Sequence, residues 1–311
     1  MIPIKKISRI RLENIWNSEA FLMDPSAYSM LFKTGKGKLT KRYRYENPDD
    51  LHMIQEDIKT LLAVSRQSEM FGKEFILPKY ILQADSLIVG YEMPLIDGIR
   101  LSDAIRSCDS RTAIRWFVQI FNGIRFLSSL DEAMAFGDLH EDNILINKNG
   151  ELYYCDIDGF RVLNGGGKYG RYFTMMLYLY HEFPKKYRVD KKSGAYLTDK
   201  NSDIACLVVM IMNYIMSGSD CYAGIPVNIA REYVAFIEQK GMPAGVIEMV
   251  RRLYRKEDNF VDLEALQKMP ADLSPFSFET FKASNSKFQS EEDAIAFIEN
   301  GFRRFDIERF L

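Results

Sequence analysis

The hydrophobic period of this chain changes near residue 96, and that change constrains the fold more than any single motif. Before it, apolar residues recur mainly at every second position. "AYSMLFKTGKGKLTKRYRY" holds two such runs separated by "TGKG", the mark of a hairpin. Alternation places Leu39, Lys41, Tyr43 and Tyr45 on one face of the second strand. Pro48, Asp49 and Asp50 then open a helix whose apolar positions are Leu51, Ile54, Ile58, Leu61 and Leu62. "FILPKYIL" and "SLIVGYEM" read as two more strands. After residue 96 the period becomes helical, with Ile114, Phe117, Phe121, Ile124 and Leu127 on one stripe of a long amphipathic helix. Further helices are expected over 202–217, 227–239 and 244–254, and a last one opens at Ser290 with a capping-box Asp293.

The expected fold class is therefore α+β. A small mixed-sheet lobe with one helix covers 1–96, a mainly α-helical lobe covers 97–270, and a helical appendage covers 271–311. In that tail Ala294, Phe297 and Ile298 would form a small apolar face suited to packing back on the helical lobe or to docking a partner.

Bulk composition excludes several classes. At 311 residues, 47% hydrophobic and 27% charged, the chain is long enough for two lobes and too apolar for disorder. A formal net charge of -2 gives no electrostatic case for nucleic acid or an acidic membrane. Cys108, Cys155, Cys206 and Cys221 lack CxxC spacing, and Cys155 and Cys206 sit in apolar runs as core residues, which suits a reducing cytosol. "MIPIKKISRI" has no signal-peptide core. The longest apolar run, Ile204 to Gly218, is shorter than the ~18–20 residues of a membrane span and contains Asn213. A soluble, cytoplasmic protein is expected, with neither nucleic acid nor membrane as partner.

Two stretches carry the chemistry. "AFGDLHEDNILI" and "YYCDIDGF" each set carboxylates among apolar residues, as loops anchored by buried strands and aiming oxygen ligands at one point. Asp138 precedes Asn143 by five positions and Asp156 by eighteen. In this order and spacing they resemble the catalytic and metal-binding loops of the protein kinase superfamily, usually H-R-D-L-x-x-x-N and D-F-G. "NSDIACLVVMIMNYIMSG" is similar to the family helix whose acid, here Asp203, braces the catalytic loop, and "MPLIDGIRLSDAI" resembles the hinge. The resemblance covers roughly 20–270 and implies a bilobal protein-kinase-like fold. The forms "GDLHxxN" and D-x-D, with "MP" at the hinge, are similar to those of certain atypical bacterial kinase-like proteins.

The resemblance implies ATP and Mg²⁺, or Mn²⁺, as cofactors, and a protein substrate bearing a serine or threonine hydroxyl. Asn143 and Asp156 would hold the metal, which prefers hard oxygen ligands. Asp138 would orient the acceptor hydroxyl and take its proton. Asp158 stands where the family has the glycine of D-F-G, as a further metal ligand or as a turn former. His140 occupies the place of a phosphate-contacting lysine, as a donor or as packing under the loop. Met93, Pro94 and Ile96 fall at the hinge, where a proline still offers its carbonyl to adenine. Lys41 is the choice for the lysine on the α- and β-phosphates, with Lys38 its nearest competitor. The partner acid of that lysine is Asp57 by register or Glu56 by reach.

Departures bear on activity. "LMDPSAYS" (22–29) has no glycine where the family covers phosphates with a glycine-rich loop. Phe136 and Gly137 replace the usual His-Arg, removing a basic pocket for an activation-loop phosphate. "RVDK" (188–191) stands in place of A-P-E. Two rivals to a protein kinase follow: a pseudokinase that binds nucleotide or a partner without transfer, and a small-molecule kinase of the aminoglycoside or choline kinase type, which His140 favours.

Overall fold

The hairpin expected around "TGKG" forms from β3 (Ser29–Gly35) and β4 (Lys38–Tyr43), and Gly37 turns with a positive φ of 69° that suits glycine. The computed structural model describes residues 1–22, 29–46, 50–163, 168–170, 196–215 and 230–270, with backbone alone at 19–22, 168–170 and 196–197. The chain divides into two compact units. One comprises Met1–Leu101 with Asp142–Val162, the other Ser102–Glu141 with Leu163–Leu311.

The first unit is built on a six-stranded sheet. With β1 (Ile4–Lys6), β2 (Glu19–Leu22), β5 (Tyr80–Ala84) and β6 (Leu87–Pro94), the strand order is β1-β5-β6-β4-β3-β2. All pairs are antiparallel except β1 with β5. Two features of this unit lie outside the sequence reading. The basic N-terminus supplies β1 and helix α1 (Arg9–Trp16), which Ser8 caps through the Arg11 amide. The "FILP" half of the expected strand is not one, and Phe75 instead bridges to Tyr154.

The two faces of the sheet are covered differently. Ile7 and Ile15 pack with Met30, Phe32, Leu82, Ala84 and Val89. Trp16 of α1 lies 5.7 Å from Phe32, and the Arg42 guanidinium stacks 4.4 Å over the Trp16 ring. Because neighbours along a strand point to opposite faces, Lys41 and Tyr43 face away from α1.

Helix α2 (Leu51–Arg66) forms where expected, but its buried side is Ile54, Asp57, Leu61 and Val64, with Leu51 exposed and Ile58 and Leu62 only half-buried. An acid therefore sits at the centre of the inward stripe. A smaller sheet of β7 (Gly98–Arg100), β8 (Ile144–Asn147) and β9 (Leu152–Tyr154) completes the unit, in the order β9-β8-β7.

In the second unit the long helix α3 (Ser110–Ser129) is capped by Asp109, whose carboxylate accepts from the Thr112 amide at 2.9 Å. Its buried stripe is Ile114, Phe117, Ile120, Ile124 and Leu127, and Phe121 is only half-buried. Helix α4 (Lys200–Ile215) is buried on every side from Ser202 to Met212, as an internal helix should be. Helices α5 (Ala230–Gln239), α6 (Ala244–Arg255) and α7 (Leu263–Gln267) follow. The architecture is thus the α+β one expected, an N-terminal sheet with its helix followed by a helical part. The helix expected at Ser290, the appendage, most of 22–29 and residues 188–191 lie outside the described residues.

Candidate active site

Four elements of the first unit bring one lysine and three acids together. Lys41 points inward from β4. Opposite it in register on β6 stands Tyr91, and two residues along β4 stands Tyr43 on the same face. The loop after β9 supplies Asp156 and Asp158, and α2 supplies Asp57. Lys41 Nζ donates to Asp156 Oδ1 and, at 2.9 Å, to Asp158 Oδ1. The Tyr91 hydroxyl donates to Asp158 Oδ1 at 2.7 Å and the Tyr43 hydroxyl to Oδ2 at 2.8 Å. Asp158 has no exposed surface.

The loop is held by its neighbours. Phe160 is buried 6.2 Å from Phe75, whose ring also lies 4.8 Å from Tyr154. Thr60 of α2 donates its hydroxyl to the Phe160 carbonyl at 2.8 Å. Arg161, itself buried, donates to the carbonyls of Phe160 (2.7 Å) and Asp158 (3.2 Å), and its second amino group lies 3.6 Å from Asp57 Oδ1. Asp156 adopts a left-handed backbone, φ 58° and ψ 47°, a conformation costly outside glycine and concentrated at functional sites.

Asn143 is positioned by the β8–β9 hairpin. Ile144 pairs with Tyr154, and the Cys155 amide donates to the Asn143 carbonyl at 3.0 Å. The antiparallel ladder therefore ends with Asn143 beside Cys155, one residue from Asp156. Cys155 is half-buried here rather than a core residue, while Cys206 is fully buried as expected. An amide and a carboxylate at one end of a hairpin fit Mg²⁺, which takes one or two protein oxygens and keeps water and phosphate for the rest. Among the described residues no three His, Cys, Asp or Glu side chains gather into a metal cluster.

The charges respond to burial and to one another. Burial alone would lower the pKa of Lys41, but Asp156 and Asp158 outweigh it and hold the ammonium charged. Burial acts to raise Asp158, yet the Lys41 charge and the three donated hydrogen bonds keep its carboxyl below the usual range. Burial, with Asp158 nearby, pushes Asp57 well above that range against the pull of Arg161 and Lys41. Tyr43 and Tyr91 are raised by burial first and by Asp158 next, so both stay protonated donors.

Glu56 is half-buried and pairs with Lys59 one turn away. Lys38 is half-exposed, 3.8 Å from Glu92. Met93 is buried at the end of β6, Pro94 is exposed and Ile96 is half-buried. The Leu95 amide donates to the Gly37 carbonyl at 3.0 Å, tying the segment after β6 to the hairpin turn.

In the second unit Asp138 is buried and His140 Nε2 lies 3.3 Å from its Oδ1. Asp203 of α4 accepts from the amides of Phe136 (2.7 Å) and Gly137 (3.2 Å), bracing the loop just before Asp138. Gly137 has a positive φ of 72°, which accounts for glycine there. Burial pushes Asp203 up to about 8 despite those two amides.

Tyr91 and Arg161 belong to no motif in the sequence. Tyr91 shares the alternation of Met93 in "VGYEM", a signal for its face but not for its hydroxyl's partner.

No protein-family model matches the chain, and no curated protein matches it in sequence. Among solved structures it is similar to the Cydia pomonella granulovirus kinase PK-1, at 12% identity and a TM-score of 0.49, over 84% of this chain and 97% of that one. Among the described residues no helix is long and apolar enough to cross a membrane.

Proposed function

We propose that this protein is a phosphotransferase that moves the γ-phosphate of Mg-ATP to a serine or threonine hydroxyl of a protein, in the manner of the atypical bacterial kinase-like proteins its motifs resemble. The observation that carries this reading is the meeting of Lys41 from β4 with Asp156 from the loop after β9. A buried cation beside a metal-binding carboxylate suits the α- and β-phosphates of a nucleotide.

In this reading Asn143 and Asp156 hold the metal, which when bound neutralises charge on the phosphate oxygens. Lys41 orients the phosphates, with its ammonium kept protonated by the acids around it. Asp138 accepts the proton of the attacking hydroxyl, and His140, 3.3 Å from it, donates to a phosphate oxygen. Asp203 holds the loop that carries Asp138 through two amides. The carbonyl of Pro94 and the amide of Ile96 are the hinge groups offered to adenine.

A second reading, nucleotide binding without transfer, draws support from Lys41 already being engaged by both Asp156 and Asp158. Incubation with labelled ATP and Mg²⁺ or Mn²⁺ separates the two. Transfer to protein by the wild type and its loss in Asp138→Ala is the expected result. Label undiminished in the variant removes Asp138 from its role, and an ATP-dependent rise in melting temperature without any transfer favours the second reading. Labelling of a sugar or amino alcohol alone would point to a small-molecule kinase.

A further inference from the structure

Resting on that reading, we propose that Asp158 is the positioning residue of Lys41 and not a metal ligand, taking over the task that sequence register assigns to an acid of α2. Three donors already occupy its two oxygens: Lys41 at 2.9 Å, Tyr91 at 2.7 Å and Tyr43 at 2.8 Å. The carboxylate is wholly buried, whereas Mg²⁺ sheds water reluctantly and keeps several waters around it. Metal binding at Asp158 would therefore break a satisfied buried network to admit a hydrated ion. Asp156, with a partly exposed side chain and a left-handed backbone, is the acid of the pair suited to metal.

The acids of α2 have other partners as well. Glu56 pairs with Lys59 on its own helix. Asp57 faces Arg161 at 3.6 Å, and Arg161 in turn bonds the carbonyls of Asp158 and Phe160. Asp57 thus faces the arginine that holds the loop, and its charge adds to those of Asp156 and Asp158 on Lys41. The two tyrosines complete the device: both lie on the lysine's own face of the sheet, and they fix the carboxylate from β4 and β6. The hydrogen bonds of Lys41 run to the loop acids Asp156 and Asp158, so strand and loop set its position.

The decisive experiment is a double-mutant cycle read by thermal unfolding without nucleotide, using Lys41→Met, Asp158→Asn and their combination, beside the same cycle with Glu56→Gln. Each of Lys41→Met and Asp158→Asn should lower the melting temperature, and the pair should lose much less than their sum, while Glu56→Gln adds to Lys41→Met. Additive losses for Lys41 and Asp158 overturn the proposal. Should Asp158→Asn not fold, Tyr43→Phe and Tyr91→Phe each remove one donor from the carboxylate and enter the cycle in its place, with the same two outcomes.

The kinetic arm asks which parameter moves. Asp158→Asn should raise KM for ATP about ten- to a hundredfold, the worth of a charged hydrogen bond, at an unchanged Mg²⁺ requirement. Asp156→Asn should raise the Mg²⁺ requirement. An Mg²⁺ requirement that climbs equally in Asp158→Asn makes it a metal ligand and overturns the proposal. If the wild type neither binds nor transfers from ATP, the phosphotransferase reading falls, and the nucleotide-free cycle still decides the role of Asp158.

Discussion

Lys41 and Tyr91 face each other across β4 and β6 and donate to the same oxygen of Asp158. The arrangement joins adjacent strands to a distant loop, with Asp158 117 positions beyond Lys41 and 67 beyond Tyr91. Removing its cation leaves a buried carboxylate without a countercharge. Lys41→Met should therefore cost about 3–5 kcal/mol of stability, the usual penalty for breaking one side of a buried ion pair. Urea unfolding of the variant checks this, and a loss below 1 kcal/mol, on the order of an exposed pair, would mean the pair is solvated.

Gly90 controls how closely β6 approaches β4. Its φ is 148°, and a Cβ placed there would lie 1.9 Å from the Lys41 carbonyl oxygen. Gly90→Ala should cost about 1–3 kcal/mol in backbone strain alone, with the clash in addition. ATP binding should weaken alongside the loss of melting temperature, because the displaced atom belongs to Lys41 itself.

Asp203 predicts a slope of stability with pH. Its folded value stands at about 8, well above the ordinary aspartate value near 3.9. Between those values the folded state keeps a proton that the unfolded state releases. Stability falls as pH rises through this window and levels off above it, by up to about 1.4 kcal/mol per pH unit. Asp203→Asn cannot titrate, so its denaturation midpoint should fall less between pH 5 and pH 8 than that of the wild type. Parallel slopes would show that Asp203 is ionised throughout.

Asp156→Ala isolates the metal. Nucleotide at a hundredfold excess over its Kd should stabilise the wild type by about 2.7 kcal/mol through mass action. In the variant the part of that gain that depends on Mg²⁺ should vanish, and any part that persists with EDTA should remain. A full Mg²⁺-dependent gain in the variant would move the metal away from Asp156.

Much of this molecule is legible in the sequence where period and burial agree. The β3–β4 hairpin, the helices around Leu61, Phe117 and Val208, and the inward face shared by Leu39, Lys41 and Tyr43 all follow from spacing. Helix α2 shows why the rest does not. Its apolar residues suggest a face through Ile58 and Leu62, and only the family register points to Asp57, which the helix turns inward towards Arg161 of a distant loop. A pattern of apolar residues cannot register an acid whose burial depends on a cation far along the chain. Tyr91 was hidden for the same reason, since its hydroxyl matters only through Asp158. The N-terminal strand escaped because three residues paired at a sheet edge, two of them lysines, carry almost no periodic signal.

The first unit is interrupted in sequence, since Asp142–Val162 returns to the sheet after the chain has entered the second unit. During synthesis, which proceeds at about 5–20 residues per second, domains tend to fold as their chain emerges. Here the strands through β7 leave the ribosome with Lys41 facing an unfinished interior. The two acids that hydrogen-bond it, Asp156 and Asp158, arrive only with the loop beyond the β8–β9 hairpin, so a nascent chain stalled short of residue 156 carries its sheet with Asp57 as the one earlier acid whose charge reaches the lysine.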